Sequence, residues 1–206
     1  MDIQQTPALN GLVLAGGKSI RMGTDKALLD WHGIEQRYYM AGLLQRLCNT
    51  VFISCRSDQQ SGIDPHYPVL ADSKPGLGPM SGILTAFGHD PQCAWLVTAC
   101  DLPLLDMDTL QYLIRHRHPQ SIATTFRSPH DGLPEPLITI WEPASFPVLQ
   151  QFAAQGITCP RKVLLNSPVA ILEPPHAASL LNANTPADAE KVRQLLQEKL
   201  TVPDAS

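Results

Sequence analysis

The stretch Leu14–Lys26, LAGGKSIRMGTDK, places two adjacent glycines before several basic side chains. Gly16 and Gly17 would let the backbone turn sharply and bring its amide groups close to a ligand. Arg21 can contact phosphate oxygens through its guanidinium fork, and Lys26 can supply a point charge. These residues alone leave two interpretations open, a loop that holds phosphate groups and an ordinary solvated turn.

Spacing excludes the two most familiar phosphate-binding motifs. A Walker motif requires a glycine five positions before the Gly-Lys-Ser of residues 17–19, but that position is Leu12, and Gly11 is one residue out of register. The dinucleotide-binding pattern G-x-G-x-x-G also fails, because the residue two places after Gly16 is Lys18. A phosphate-holding loop here would therefore be of another kind.

The elements that must position this stretch are short apolar runs in alternation with helix-like segments. Apolar runs typical of strands lie at residues 12–15, 51–55, 67–72, 94–101, 122–126 and 136–141. Helices are predicted at about residues 36–48, 80–87, 107–117 and 184–200. Asp106 or Asp108 would cap the third helix, and Thr185, followed by Pro186, would cap the last. Apolar strands separated by helices predict a three-layer α/β/α fold with a mostly parallel sheet.

Asp101 ends the clearest of the apolar runs, AWLVTACD. In parallel α/β sheets, ligands bind outside the carboxyl ends of the strands. The Gly-rich stretch and Asp101 both follow such ends, so the pattern indicates one shared site. Taken alone, Asp101 is more typical of a turn or helix cap before Leu102-Pro103 than of a metal ligand.

Composition and charge limit the classes of function. The 206 residues suit a single domain with a core at about residues 9–200. A net charge of −4 argues against a nucleic-acid-binding surface, which would need a dominant basic patch. No apolar run approaches the roughly 20 residues that span a membrane, and the N-terminus lacks the apolar segment of a signal peptide. The five cysteines lack CxxC spacing, which predicts reduced thiols and a cytoplasmic setting.

A family resemblance emerges from several motifs taken in order. LAGGKSIRMGTDKALL resembles the signature LAGGxSxRMGxDKxLL of the molybdenum cofactor guanylyltransferases, within the nucleotidyltransferase superfamily. VLADSKPGLGPMSGI, WLVTACDLPLL and LLNANTPAD resemble the family's GPLxGI, CDxPxL and NxNTPxD segments, and the match spans about Gly11 to Asp188. The resemblance implies a single nucleotidyltransferase domain with a Rossmann-like fold. It also implies transfer of GMP from GTP to molybdopterin or the molybdenum cofactor, with release of pyrophosphate.

The resemblance further implies a role for each site residue. Arg21, Lys26 and Asp101 would form the catalytic set, in which the two basic residues hold phosphates and Asp101 binds Mg²⁺, the implied cofactor. The nucleotide would contact Leu14, Ala15, Gly16, Gly17, Lys26, Asp72, Gly78 and Asp101. The acceptor would contact Gly82, Asn182 and Asn184, of which the asparagines precede a helix N-terminus, a natural anion site.

Two residues depart from the family pattern. Arg56 stands where the family commonly has an asparagine after the second strand, and its side chain would contact phosphate or solvent. Glu135 stands where the family often reads His-Pro or Gln-Pro, and its charge would repel an anionic acceptor.

The choice of base is a separate prediction. Gly17 and the GPMSG segment favour guanine, because the related cytidylyltransferases usually read LAAG and lack that segment. Two alternatives remain open, a nucleotidyltransferase that uses CTP or another phosphorylated acceptor, and a non-catalytic nucleotide-binding module. GTP and the molybdenum cofactor are the predicted partners, with other cofactor-biosynthesis proteins as further candidates and neither nucleic acid nor a membrane expected.

Overall fold

The structure is a computed structural model that describes residues 6–17, 25–74 and 76–201. Within these ranges the strands are β1 Leu9–Leu14, β2 Val51–Cys55, β3 Val69–Ala71, β4 Ala94–Ala99, β5 Ala123–Arg127, β6 Pro134–Trp141 and β7 Ala170–Leu172. The α-helices are α1 Gln36–Gln45, α2 Pro79–His89, α3 Met107–Arg115, α4 Ser145–Ala154, α5 Pro160–Leu165 and α6 Pro186–Thr201. Short 3-10 helices span Lys26–Leu28, Ser57–Gly62 and Ala177–Leu180.

The strands form one sheet in the order β3-β2-β1-β4-β6-β5-β7. Neighbouring strands are parallel except where β6 pairs antiparallel with β4 and with β5. The prediction of a mostly parallel sheet is therefore confirmed. In register, Leu14 lies opposite both Ser54 of β2 and Ala99 of β4, and Cys55 lies opposite Ala71 of β3. The carboxyl ends of β1 to β4 consequently meet at one edge of the sheet.

Helices cover both faces of the sheet, which confirms the three-layer prediction. Successive residues of β1 belong to opposite cores, because side chains alternate across a strand. Val13 packs in a cluster that contains Leu44 of α1 and Leu110 of α3. Leu12 packs in the other cluster, together with Phe87 of α2 and Leu149 of α4.

Local sequence signals set the starts of α3 and α6. The Asp106 side chain accepts a hydrogen bond from the Thr109 amide at 2.9 Å, so Asp106 is the N-cap of α3. Thr185 Oγ1 accepts from the Asp188 amide at 3.2 Å at the start of α6, as the sequence predicts. Helix α1 ends at Gln45, three residues before its predicted end.

Among the α-helices and strands, three have no counterpart in the sequence predictions: α4, α5 and β7. Two of them are too short to show a clear period, since α5 has six residues and β7 has three. Among the described residues, no helix has the length and apolar character that crossing a bilayer demands.

Candidate functional site

A cavity of about 790 Å³ opens where the carboxyl ends of β1 to β4 meet the start of α2. Its volume lies in the range of small-molecule sites. All eight residues predicted to contact a nucleotide line this cavity: Leu14, Ala15, Gly16, Gly17, Lys26, Asp72, Gly78 and Asp101. Gly82 lines it as well. The structure thus brings together residues that lie up to 87 positions apart in the sequence, from Leu14 to Asp101.

The other predicted site residues have different placements. Arg21 lies outside the described residues. Asn182 and Asn184 lie beyond the cavity lining, in the segment that joins the 3-10 helix Ala177–Leu180 to α6. The amide of Ala183, between them, donates a 2.8 Å hydrogen bond to the Asp101 carbonyl. This bond places the asparagine segment directly beside the end of β4.

Lys26 contacts both Asp101 and the asparagine segment. Its ammonium Nζ lies 3.8 Å from Asp101 Oδ2 and donates a hydrogen bond to Asn184 Oδ1. The Lys26 side chain is largely buried, with 18% of it exposed. The 3-10 helix Lys26–Leu28 holds the residue, and the Asp25 side chain caps this helix by accepting from the Ala27 amide at 3.0 Å. Lys26 therefore presents one positive charge between the cavity and the asparagine segment.

Asp101 is the most strongly desolvated acid at the cavity. Burial raises the pKa of its carboxyl above the ordinary value, and the Lys26 ammonium opposes that rise. Its Oδ1 atom is buried and has no hydrogen-bond partner among the described residues. Asp101 also lines the cavity, and an unpartnered carboxylate oxygen fits a hard divalent cation, for which carboxylates are preferred ligands. Asp101 is thus suited to hold a metal.

Asp72 lies next to Gly16 of the Gly-rich turn. Ser54 Oγ donates to its Oδ1 at 2.8 Å, and burial raises the pKa of this carboxyl. A Cβ atom at Gly16 would lie 3.4 Å from Asp72 Oδ2 and 3.4 Å from the Arg56 amide. A Cβ at position 16 would thus be in ordinary van der Waals contact with Asp72, which lines the cavity.

Gly82 and Gly78 are glycines for different reasons. A Cβ at Gly82 would lie 2.5 Å from Ser54 Oγ and 2.6 Å from Leu14 Cδ2, so only glycine lets α2 sit this close to β1 and β2. Gly78 precedes α2 with a φ of +56°, a left-handed backbone conformation that favours glycine. Both residues shape the cavity wall through the backbone.

Arg56 has partners that the sequence did not indicate. Its guanidinium donates to the Gly16 carbonyl at 2.7 Å and to the Asp58 carboxylate, while 32% of the side chain is exposed. Arg56, Ser57 and Asp58 all line the cavity. The motif comparison marked Arg56 as a departure, but no local pattern links residue 56 to residue 16.

Glu135 also has a partner that the sequence did not indicate. Glu135 is buried, and its Oε2 accepts from Arg161 Nη2 at 3.2 Å. Arg161 also pairs with Asp131 at 2.6 Å. Burial raises the pKa of Glu135, and the Arg161 guanidinium opposes that rise. Because Arg161 compensates its charge, Glu135 would repel an anion less than the sequence alone suggests.

Comparison with known proteins bears on what this site does. A model of the MobA-like NTP transferase domain matches residues 11–171. A molybdenum cofactor biosynthesis bifunctional protein of Synechocystis sp. is 37% identical over 188 residues, which are 91% of this chain and 54% of that protein. This chain therefore spans about half the length of that relative.

Two further proteins match over nearly their whole length. A probable molybdenum cofactor guanylyltransferase of Carboxydothermus hydrogenoformans is 30% identical over 197 residues, covering 91% of this chain and 96% of that protein. The structure of molybdopterin-guanine dinucleotide biosynthesis protein A from Archaeoglobus fulgidus has a TM-score of 0.73 and 20% identity, covering 92% of this chain and 99% of that one. The structural likeness shows a shared fold.

Proposed function

Because this chain belongs to the family of MobA-like NTP transferase domains and is a nucleotidyltransferase, we propose that it transfers GMP from GTP to molybdopterin or the molybdenum cofactor. The membership confirms the family that the sequence motifs resemble. It also favours an enzyme over a non-catalytic nucleotide-binding module. The proposed catalytic unit is a single domain with its core at about residues 9–200.

The observation that carries the proposal is the meeting of three features at one cavity. The Gly-rich turn offers backbone groups, Lys26 offers a positive charge, and Asp101 offers a buried, unpartnered carboxylate oxygen. Transfer of a nucleotidyl group needs three kinds of chemical group: donors for the phosphate oxygens, a cation near the leaving group, and a ligand for a divalent metal. Positioning and electrostatic stabilisation would then supply most of the rate enhancement.

The proposed reaction forms one bond and breaks one bond. A phosphate oxygen of the acceptor attacks the α-phosphorus of GTP, and the bond from that phosphorus to the bridging oxygen of the β-phosphate breaks, so pyrophosphate leaves. Lys26 would neutralise charge on the phosphates, and the backbone of Ala15 to Gly17 would hold them in place. Asp101 would hold the family's divalent metal, for which we propose Mg²⁺; when bound, it would polarise phosphate oxygens and offset their charge.

The remaining residues of the site would select the two substrates. Asp72, fixed by Ser54, would contact the base or ribose. Gly17 and Gly78 would leave room for the nucleotide, since a Cβ at either position meets no described atom within 4 Å. Asn182 and Asn184 would contact the acceptor, and this role is supported by the bond that ties their segment to Asp101.

Pyrophosphate release tests this proposal. Purified protein with Mg²⁺ and molybdopterin should release pyrophosphate with GTP and not with CTP, ATP or UTP. Asp101→Ala should abolish release, whereas Asp108→Ala, at an exposed acid on α3, should leave it unchanged. Release with CTP instead would favour a cytidylyltransferase. Nucleotide binding without release under any condition would contradict enzymatic transfer to this acceptor.

A further inference from the structure

We propose that Arg56 is a positioning residue that fixes the Gly-rich turn for the nucleoside triphosphate. The inference rests on the proposed function, because it concerns the nucleotide side of the same cavity. It gives Arg56 a role in geometry instead of a direct charge contact with phosphate.

The first observation is the set of bonds that the guanidinium makes. Nη1 donates to the Gly16 carbonyl at 2.7 Å, and Nε and Nη2 donate to the two oxygens of Asp58 at 3.1 and 3.3 Å. These bonds use three of the five N–H groups of the guanidinium. The planar fork is therefore held by Asp58 on one side and holds the Gly16 carbonyl on the other.

The bond to the Gly16 carbonyl orients the next amide group. Gly16 C=O and Gly17 N–H belong to one peptide plane, and in a trans peptide they point in opposite directions. Fixing the Gly16 oxygen toward Arg56 therefore fixes the direction of the Gly17 N–H. Gly17 is one of the backbone positions proposed to contact the nucleotide.

A second set of bonds reaches the other end of the basic stretch. The Arg56 amide donates to Gln59 Oε1 at 3.2 Å, and Gln59 Nε2 donates to Asp25 Oδ2 at 2.9 Å. Asp25 in turn caps the 3-10 helix that carries Lys26. Residues 56–59 thus hold the chain both before and after residues 18–24. One segment after β2 sets the spacing between the Gly-rich turn and Lys26.

Charge argues for the same role. The Asp58 carboxylate pairs with the Arg56 guanidinium, so the two side chains together add little net positive charge at the cavity. A direct phosphate contact would benefit from an uncompensated cation. Lysine could keep the charge, but a single ammonium lacks the fork that joins a carbonyl and a carboxylate in one plane.

Three variants separate positioning from a phosphate contact: Arg56→Lys, Arg56→Gln and Asp58→Ala. The affinity for GTP is measured by calorimetry with Mg²⁺ and without acceptor, and KM and kcat are measured with molybdopterin. Positioning predicts that both Arg56 variants weaken GTP binding by roughly ten- to hundredfold, the effect of losing a charge-assisted hydrogen bond. In both Arg56 variants the KM for GTP should therefore rise, while kcat should change much less.

Asp58→Ala should change the affinity for GTP in opposite directions under the two interpretations. Without Asp58 the fork loses its orientation, so positioning predicts weaker GTP binding. A phosphate contact predicts tighter binding, because the guanidinium charge is no longer compensated. Tighter binding by Asp58→Ala, or near-normal binding by Arg56→Lys beside a large loss in Arg56→Gln, would overturn the proposal.

Arg127→Gln is the matched control. Arg127 also bridges a glycine carbonyl, that of Gly132 at 2.9 Å, and a carboxylate, that of Glu173 at 2.7 Å, and it does not line the cavity. The Arg127→Gln variant should therefore bind GTP as the wild type does. If the wild-type protein neither binds GTP nor forms product, the proposed function fails; if it does both and the Arg56 variants match it, only the positioning role fails.

Discussion

Lys26 Nζ lies 3.8 Å from Asp101 Oδ2 across the cavity edge, although the two residues follow different strands. The same ammonium group donates to Asn184, so it connects the nucleotide side of the cavity with the segment proposed to bind the acceptor. Because both substrates of a nucleotidyl transfer carry phosphate, a cation between their sites would lower the repulsion as they approach. This relationship leads directly to the first prediction.

Lys26→Gln should lower kcat/KM for GTP by on the order of 10²–10³, the effect of removing one donor from a preorganised electrostatic site. Lys26→Arg should restore part of the loss, because it retains the charge with a different shape. Steady-state assays of pyrophosphate release would measure both. Lys191→Gln, at an exposed position on α6, serves as the control. Equal activity of Lys26→Gln and the wild type would contradict the proposed catalytic role of Lys26.

Asp101→Asn should abolish transfer and yet stabilise the metal-free protein. Since burial raises the pKa of Asp101 above 3.8, its ionised form costs folding free energy at neutral pH. Removing the charge should therefore raise the Tm of the metal-free protein. This cost in folding free energy is absent at pH values below the ordinary pKa of 3.8. It grows as the pH rises from there to the raised pKa. Thermal scans should therefore show a smaller gain for Asp101→Asn at mildly acidic pH than at pH 8.

As the pH is lowered, the affinity for the metal should begin to fall at a higher pH than it would for a site with an ordinary carboxylate. Protons compete with the cation for Asp101, and its raised pKa moves this competition upward in pH. Titration with Mn²⁺, followed by electron paramagnetic resonance between pH 8 and pH 5, measures the affinity. Asp101→Asn should show little binding and no such pH dependence. A wild-type affinity that stays constant over this range would contradict the assignment of Asp101 as the ligand.

Gly82→Ala should destabilise the protein by about 1–3 kcal/mol, as overpacking in a close contact does. Its Cβ would lie 2.5 Å from Ser54 Oγ, which also holds Asp72, so nucleotide affinity should fall as well. Gly88→Ala in the same helix is the matched control, because a Cβ there meets no described atom within 4 Å. That variant should gain about 0.5–1 kcal/mol. Chemical denaturation compares the two, and equal effects would refute the packing role of Gly82.

Much of the fold and of the candidate site follows from local patterns. Asp72 and Asp101 could be placed at strand ends because each directly follows an apolar run, and parallel strands end at a common edge. The cap residues Asp106 and Thr185 were predictable because a cap bonds within a few residues.

Other features depend on contacts that no local pattern encodes. The bond from Arg56 to Gly16 spans 40 residues, and the pairing of Glu135 with Arg161 spans 26. Helix α5, which carries Arg161, has only six residues and so shows little periodicity. For these residues the charge was visible in the sequence, whereas the partner that compensates it was set by the packing of distant segments.

Transfer of the α-phosphate tests the central claim most directly. The protein is incubated with Mg²⁺, molybdopterin and GTP labelled at either the α- or the γ-phosphorus, and the products are separated. The account predicts that α-label enters a product containing both GMP and the pterin, while γ-label appears only in pyrophosphate. Incorporation of α-label from CTP but not from GTP, or of γ-label into the pterin product, would contradict it.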